Sequence, residues 1–229
     1  MNIIITGASG AVGSRLIQLL EGKFDNIIGV QRNSKSSNKN HIYYFSCNDL
    51  SNQDTAKQTF QTIINQFDQI HGLVNVAGGF DMGGNAENVK NWNRMLNINF
   101  HTMLNATINV LPNMKKNQFG RIINFGSEAA YKGMAQATPY CVSKAAVQSF
   151  TQSLSLELPR GITCNALVPS IINTMANTAE EAKVNNQIIE NLFNKCEASI
   201  KVFDNLIEKA KNLTKKKIVK DSSIDNALL

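Results

Sequence analysis

Cysteine, proline, histidine and tryptophan are all scarce in this chain. Its 229 residues hold four cysteines, four prolines, three histidines and one tryptophan. The cysteines (Cys47, Cys141, Cys164, Cys196) are scattered with no C-x-x-C pair, which argues against a disulfide framework or a zinc site and fits free thiols in a reducing compartment. His41, His71 and His101 lack metal-like spacing, so no metal is expected. No stretch is long and apolar enough to span a bilayer, so no membrane partner is expected. Met1 runs straight into an apolar strand, which leaves no room for a signal peptide; a cytoplasmic location is expected. The formal net charge is +6, yet the one dense basic run is Lys215-Lys216-Lys217 near the end. Spread in this way, the charge suits a solvated basic surface that attracts anionic small molecules rather than a nucleic-acid face.

What is present alternates. Asn2–Thr6 is mostly β-branched and reads as a strand buried on both faces. Ile27–Val30, His41–Phe45, Gly72–Ala77, Arg121–Phe125 and Gly161–Val168 read as five more strands. Between them lie helical stretches through Leu20, over Asn52–Phe67 behind an Asp49-Leu50-Ser51 cap, over Asn88–Val110 with a stop near Pro112, and over Pro139–Leu158. Strand–helix alternation predicts an α/β, doubly wound parallel sheet of six strands. Residues 1–176 are expected to form one domain. Residues 177–229 differ: Ile189, Phe193, Cys196, Ile200, Phe203 and Ile207 recur at three- and four-residue steps, predicting a long, atypical C-terminal helix that packs on the parent domain rather than forming its own.

The first strand ends in Thr6-Gly7-Ala8-Ser9-Gly10-Ala11-Val12-Gly13. A strand, a glycine turn and a helix aim backbone N–H groups and a positive helix end at a pyrophosphate. At the end of the second strand, where such a fold usually carries an acid for the ribose hydroxyls, the chain reads Val30-Gln31-Arg32-Asn33. A carboxylate there would repel a 2′-phosphate, whereas Arg32, with Lys35 nearby, attracts one, so NADP(H) is favoured over NAD(H). Tyr140 and Lys144 lie four apart on one helix face. An ammonium there is expected to draw the phenol's pKa down toward working pH, while Ser127, after the fifth strand, can hydrogen-bond a carbonyl or alkoxide oxygen.

TGASGAVG, DLS at 49–51, NVAGG at 75–79, WNRMLNINF at 92–100, GRIINFGS at 120–127, YCVSK at 140–144 and NALVPSIINT at 165–174 together resemble the short-chain dehydrogenase/reductase family, carbonyl-reductase-like with some dihydropteridine-reductase-like features, over residues 1–176. The resemblance implies a Rossmann-type fold and an oxidoreductase that moves hydride between NADP(H) and a small carbonyl or alcohol substrate. It further implies a homo-oligomer, dimer or tetramer, built on the helices around Asn88–Val110 and Pro139–Leu158. Ser127, Tyr140, Lys144 and Asn99 would be catalytic, Asn99 holding a relay water with Lys144. The cofactor would lie along Gly7, Ser9, Gly10, Val12, Gly13, Arg32, Asp49, Leu50, Asn75, Ala77, Gly78, Tyr140, Lys144, Pro169, Ile172 and Thr174. The glycine spacing is TGxxGxxG where the commoner short form has TGxxxGxG, and no glycine-rich seventh strand follows Thr174. The tail therefore leaves one alternative: a dinucleotide-binding scaffold with weak catalysis whose C-terminal helix binds a partner.

Overall fold

A computed structural model describes residues 1–33, 37–81 and 86–169. The expected tail helix, together with Lys35, Ile172 and Thr174, lies outside the described residues.

The elements run β1 (Asn2–Thr6), α1 (Ala11–Leu20), β2 (Asn26–Gln31), β3 (Ser37–Lys39), β4 (Ile42–Ser46), α2 (Gln53–Phe67), β5 (Gly72–Asn75), α3 (Val89–Leu96), a π-helical turn (Asn97–His101), α4 (Thr102–Lys116), β6 (Gly120–Phe125), α5 (Ala129–Lys132), α6 (Thr138–Glu157) and β7 (Ile162–Leu167). The sheet order is β3-β4-β2-β1-β5-β6-β7. The six expected strands are parallel to one another, and β3 adds a short antiparallel edge against β4. The chain thus forms a doubly wound α/β sheet of Rossmann type.

The inner strands form because their side chains have no exposed face to serve. Ile3, Ile4, Ile5, Ile28 and Leu73 are almost wholly buried, as expected of parallel strands covered by helices on both sides. Phe60 and Ile63 of α2 and Val110 and Met114 of α4 cover one face of this core. α2 starts at Asn52, whose side chain accepts from the Thr55 backbone N–H at 3.0 Å; the cap is thus one residue beyond the Asp49–Ser51 stretch that marked it.

Two helical boundaries differ from expectation. The stretch after Asn88 is not one uniform helix, because it widens into a π-helical turn at Asn97–His101. It also passes Pro112 and ends only at Lys116. Proline removes one N–H from a helix interior, the one that would bond the Ile108 carbonyl one turn earlier. The helix survives because one face, from Ala106 to Met114, is held in the core.

Candidate active site

β1 and β5 are neighbours whose chain connections leave in opposite directions along the sheet, so a crevice opens beyond their carboxyl ends. The glycine turn forms its floor. Gly7 has φ +69°, and a Cβ there would lie 2.8 Å from the Ala77 nitrogen; only glycine takes that backbone without strain. A Cβ on Gly13 would lie 2.2 Å from the Gly7 carbonyl oxygen, so α1 is packed directly onto the turn. Thr6 Oγ1 accepts from Ala77 N–H at 3.2 Å, tying this turn to the loop after β5. α1 has no side-chain cap and no acidic residue in its first turn, so its first N–H groups face the crevice without an internal anion.

The crevice is a cleft of about 800 Å³ whose walls include Gly7, Ser9, Gly10, Val12, Gly13, Arg32, Asp49, Leu50, Ala77 and Gly78. Arg32 stands exposed at the end of β2, and no carboxylate precedes it on that strand. Asp49 receives Ser51 N–H at 2.9 Å and Ser51 Oγ–H at 2.6 Å. The Ser51 hydroxyl foremost holds its carboxyl below the usual range. Sequence reasoning passed over Gln31, Asn48, Arg94, Ile98 and Thr102, which also line the cleft. Arg94 carries an ion pair to Asp81 there. It lies inside the WNRMLNINF segment, but nothing in its spacing indicates which way a helix residue faces.

Asn75 is not among the cleft residues. It is 3% exposed, and its Nδ2 donates to Thr107 Oγ1 at 3.1 Å and to Asn124 Oδ1 at 2.9 Å. Strand alternation turns it into the sheet, away from the crevice. Its place is structural: it begins a buried polar chain continued by Asn124 Nδ2, which donates to Thr151 Oγ1 at 2.9 Å.

A second cavity, of about 520 Å³, adjoins the first and shares Val12 and Gly78 with it. Ser127, Tyr140, Lys144 and Pro169 stand on its wall. Ser127 follows β6 and is fixed there by Gln148 Nε2, which donates to its carbonyl at 2.9 Å, and by its own Oγ, which accepts from Ala129 N–H at 3.2 Å. Lys144 is 7% exposed, and its Nζ donates to the Phe125 carbonyl at 2.8 Å. Burial lowers its pKa to about 8. A Cβ on Gly78 would lie 2.7 Å from Asn99 Oδ1 and 3.5 Å from Lys144 Nζ, so the three converge where the two cavities meet.

One expectation needs correction. The pKa of Tyr140 is raised, not drawn down: burial dominates, the Ser127 hydroxyl pulls it back in part, and Cys141 adds a small upward push. Burial of the phenol sets the direction, and the Lys144 ammonium is turned to the Phe125 carbonyl. The Asn99 amide is engaged by its neighbours. Its Oδ1 accepts from Gly79 N–H at 2.9 Å, while its Nδ2 donates to the Gly79 carbonyl at 3.0 Å and to Ser143 Oγ at 3.1 Å. Trp92 is a packing residue whose Nε1 donates to the Ala86 carbonyl at 2.9 Å.

Comparison with known proteins agrees with this geometry. The family described as short chain dehydrogenase matches residues 1–185. Short chain dehydrogenase adrF of Penicillium roqueforti is 30% identical over 178 residues, covering 75% of this chain and 70% of that protein. The 3-oxoacyl-[acyl-carrier-protein] reductase FabG of Buchnera aphidicola subsp. Baizongia pistaciae is 30% identical over 198 residues, covering 81% and 79%. The solved structure of aldohexose dehydrogenase from Thermoplasma acidophilum, in ligand-free form, superposes with a TM-score of 0.70 at 26% identity, covering 83% of this chain and 75% of that one. A fold with its crevice at the β1/β5 switch, a glycine turn on the crevice floor and a Ser–Tyr–Lys set beside it thus has sequence relatives along the same stretch, and the chain belongs to the short-chain dehydrogenase/reductase family of oxidoreductases.

Proposed function

We propose that the protein is an NADP(H)-dependent reductase of small carbonyl compounds, with residues 1–176 as its catalytic domain. One observation carries the reading: the wall bearing Ser127, Tyr140 and Lys144 is continuous, through Val12 and Gly78, with a cleft floored by an uncapped helix start. The residues present fit a dinucleotide. The close glycine packing leaves the backbone of the turn open to a pyrophosphate, the exposed Arg32 suits a 2′-phosphate, and Asp49 with Leu50 offers an edge for the adenine. Ala77 and Gly78 would pass the ribose side, and Pro169 the nicotinamide, with Ile172 and Thr174 assigned the same role by resemblance alone. A bound nicotinamide cofactor would supply hydride.

The protein's own residues manage the proton and the oxygen. Ser127 Oγ orients the substrate oxygen. Tyr140, with its pKa raised by burial, is protonated at neutral pH and gives its phenolic proton to that oxygen as negative charge develops. Lys144, an ammonium below about 8, would hold a ribose hydroxyl of a bound cofactor and stabilise the phenolate left behind. Asn99, bonded through its side chain to Gly79 and Ser143, would hold a relay water with Lys144 by resemblance alone. Oxidation of NADPH with a panel of aldehydes, ketones and quinonoid pterins tests the proposal. Consumption that requires Tyr140 is expected; binding of NADPH without any reduction across the panel would overturn it.

A further inference from the structure

The second cavity has a wall that proton transfer alone does not require. Phe80 is 49% exposed, yet its ring stands edge-on to Tyr140, with centroids 4.8 Å apart and planes at 86°. It is held from behind. The Asn99 amide grips Gly79 through both its N–H and its carbonyl, which fixes the backbone immediately before Phe80. The same amide donates to Ser143 Oγ, and Ser143 Oγ donates to the Tyr140 carbonyl at 2.7 Å. One buried amide, 1% exposed, therefore anchors the backbone on both sides of the ring pair. Met134, 37% exposed, lines the same cavity. Among the described residues, the charged side chains on this wall besides Lys144 are Glu128 and Lys132, and they form an ion pair with each other. The described rim residues therefore offer no net charge to an ionised substituent, while their apolar surface includes an aromatic face and a thioether, which suit a flat ring.

We propose that Phe80 is a specificity-determining residue, and that the carbonyl presented to Ser127 and Tyr140 is borne by an uncharged, flat apolar ring that lies against Phe80 and Met134. This rests on the carbonyl-reductase reading above. An aromatic ring left half exposed at a catalytic phenol is a contact surface for the substrate, and the neutralised rim sets the sign of discrimination against anionic analogues.

The test compares the full-length protein with Phe80→Ala and Phe80→Tyr. Three aldehydes serve as substrates: 2-naphthaldehyde, butanal and 4-carboxybenzaldehyde. Binding of 2-naphthylmethanol is followed by fluorescence without turnover. Wild type should favour 2-naphthaldehyde over the other two in kcat/KM. Phe80→Ala should lose at least about tenfold on it but under about twofold on butanal, with Phe80→Tyr restoring the preference. The Kd of 2-naphthylmethanol should weaken in parallel, while that of NADPH stays unchanged. Equal losses on naphthaldehyde and butanal, a preference for the carboxylated aldehyde, or an unchanged naphthylmethanol Kd in Phe80→Ala would overturn the assignment. If no aldehyde is reduced, the carbonyl-reductase reading fails, and the naphthylmethanol Kd still decides whether Phe80 is the contact surface.

Discussion

Burial acts on Tyr140 and Lys144 in the same sense, favouring the uncharged form of each. The phenol is therefore protonated at rest, the form that the proposed reduction of a carbonyl requires. Tyr140→Phe should lower kcat by about 10²–10⁴ while leaving NADPH affinity within about twofold, because the phenol acts chiefly as charge develops on the substrate oxygen. Turnover measured beside fluorescence titration of the cofactor checks this, and retained reductase activity would remove Tyr140 from the role of donor. Arg32 makes a second residue-level claim. NADPH should bind at least about tenfold more tightly than NADH, or about 1.4 kcal/mol, which one charge-assisted contact supplies. Arg32→Asp should reverse that order in paired titrations; equal affinities in the wild type would refute it. Both residues were visible in the sequence because spacing or strand order alone sets their place. Asn75 and Phe80 were not so visible. Which face of β5 Asn75 takes depends on the register of the sheet, and Phe80 meets Tyr140 across sixty positions of chain.

At the scale of elements, six strands were legible because short runs rich in β-branched, aromatic and aliphatic residues, such as Asn2–Thr6 and Ile42–Ser46, have few other places to go. β3 was not: Ser37-Asn38-Lys39 has no apolar pattern, and it is a strand only because it pairs with Tyr44, Tyr43 and Ile42 of β4. The π-helical turn was equally hidden, since the residues that hold it, Asn99 above all, bond to a loop and a helix distant in sequence. The starts of β1 and β5 are joined by a contact with its own pH signature. His71 Nδ1 accepts from the Asn2 backbone N–H at 3.0 Å, a bond only the neutral ring can make. Burial, and then the charged amino terminus, lower the His71 pKa, with Asp25 pulling the other way. The unfolded chain, with His near about 6.5, therefore binds the proton more readily than the folded one. Stability from this group is complete above about 6.5 and is lost as pH falls toward the depressed folded value. Melting curves taken from about pH 7 down to about pH 5 should show a smaller fall for His71→Gln than for wild type. Identical slopes would mean the contact does not feel the proton.

For the molecule as a whole, the remaining question is what covers α4 and α6. Apolar residues recur along α6, among them Val147, Phe150 and Leu154, more of them than one helix face needs. The structure places Val147 at 1% and Leu154 at 7% exposure, and Phe150 packs against the core and against Phe100. Those three serve the subunit's own interior. The surplus lies elsewhere on the same helices: Ile108 on α4 and Val142 and Leu156 on α6 are 39%, 42% and 89% exposed. Single exposed apolar residues are ordinary, but apolar residues shared by two long helices suit a two-fold interface in which each copy presents the same patch. A homodimer at minimum is therefore expected, with α4 and α6 at its centre. Light scattering at micromolar concentration should report at least two subunits. Ile108→Glu combined with Leu156→Glu should yield monomers whose far-ultraviolet circular dichroism is unchanged, because neither side chain contributes to the buried core. A wild-type protein that is monomeric under those conditions, or a double variant that stays dimeric, would show that these helices do not carry the interface.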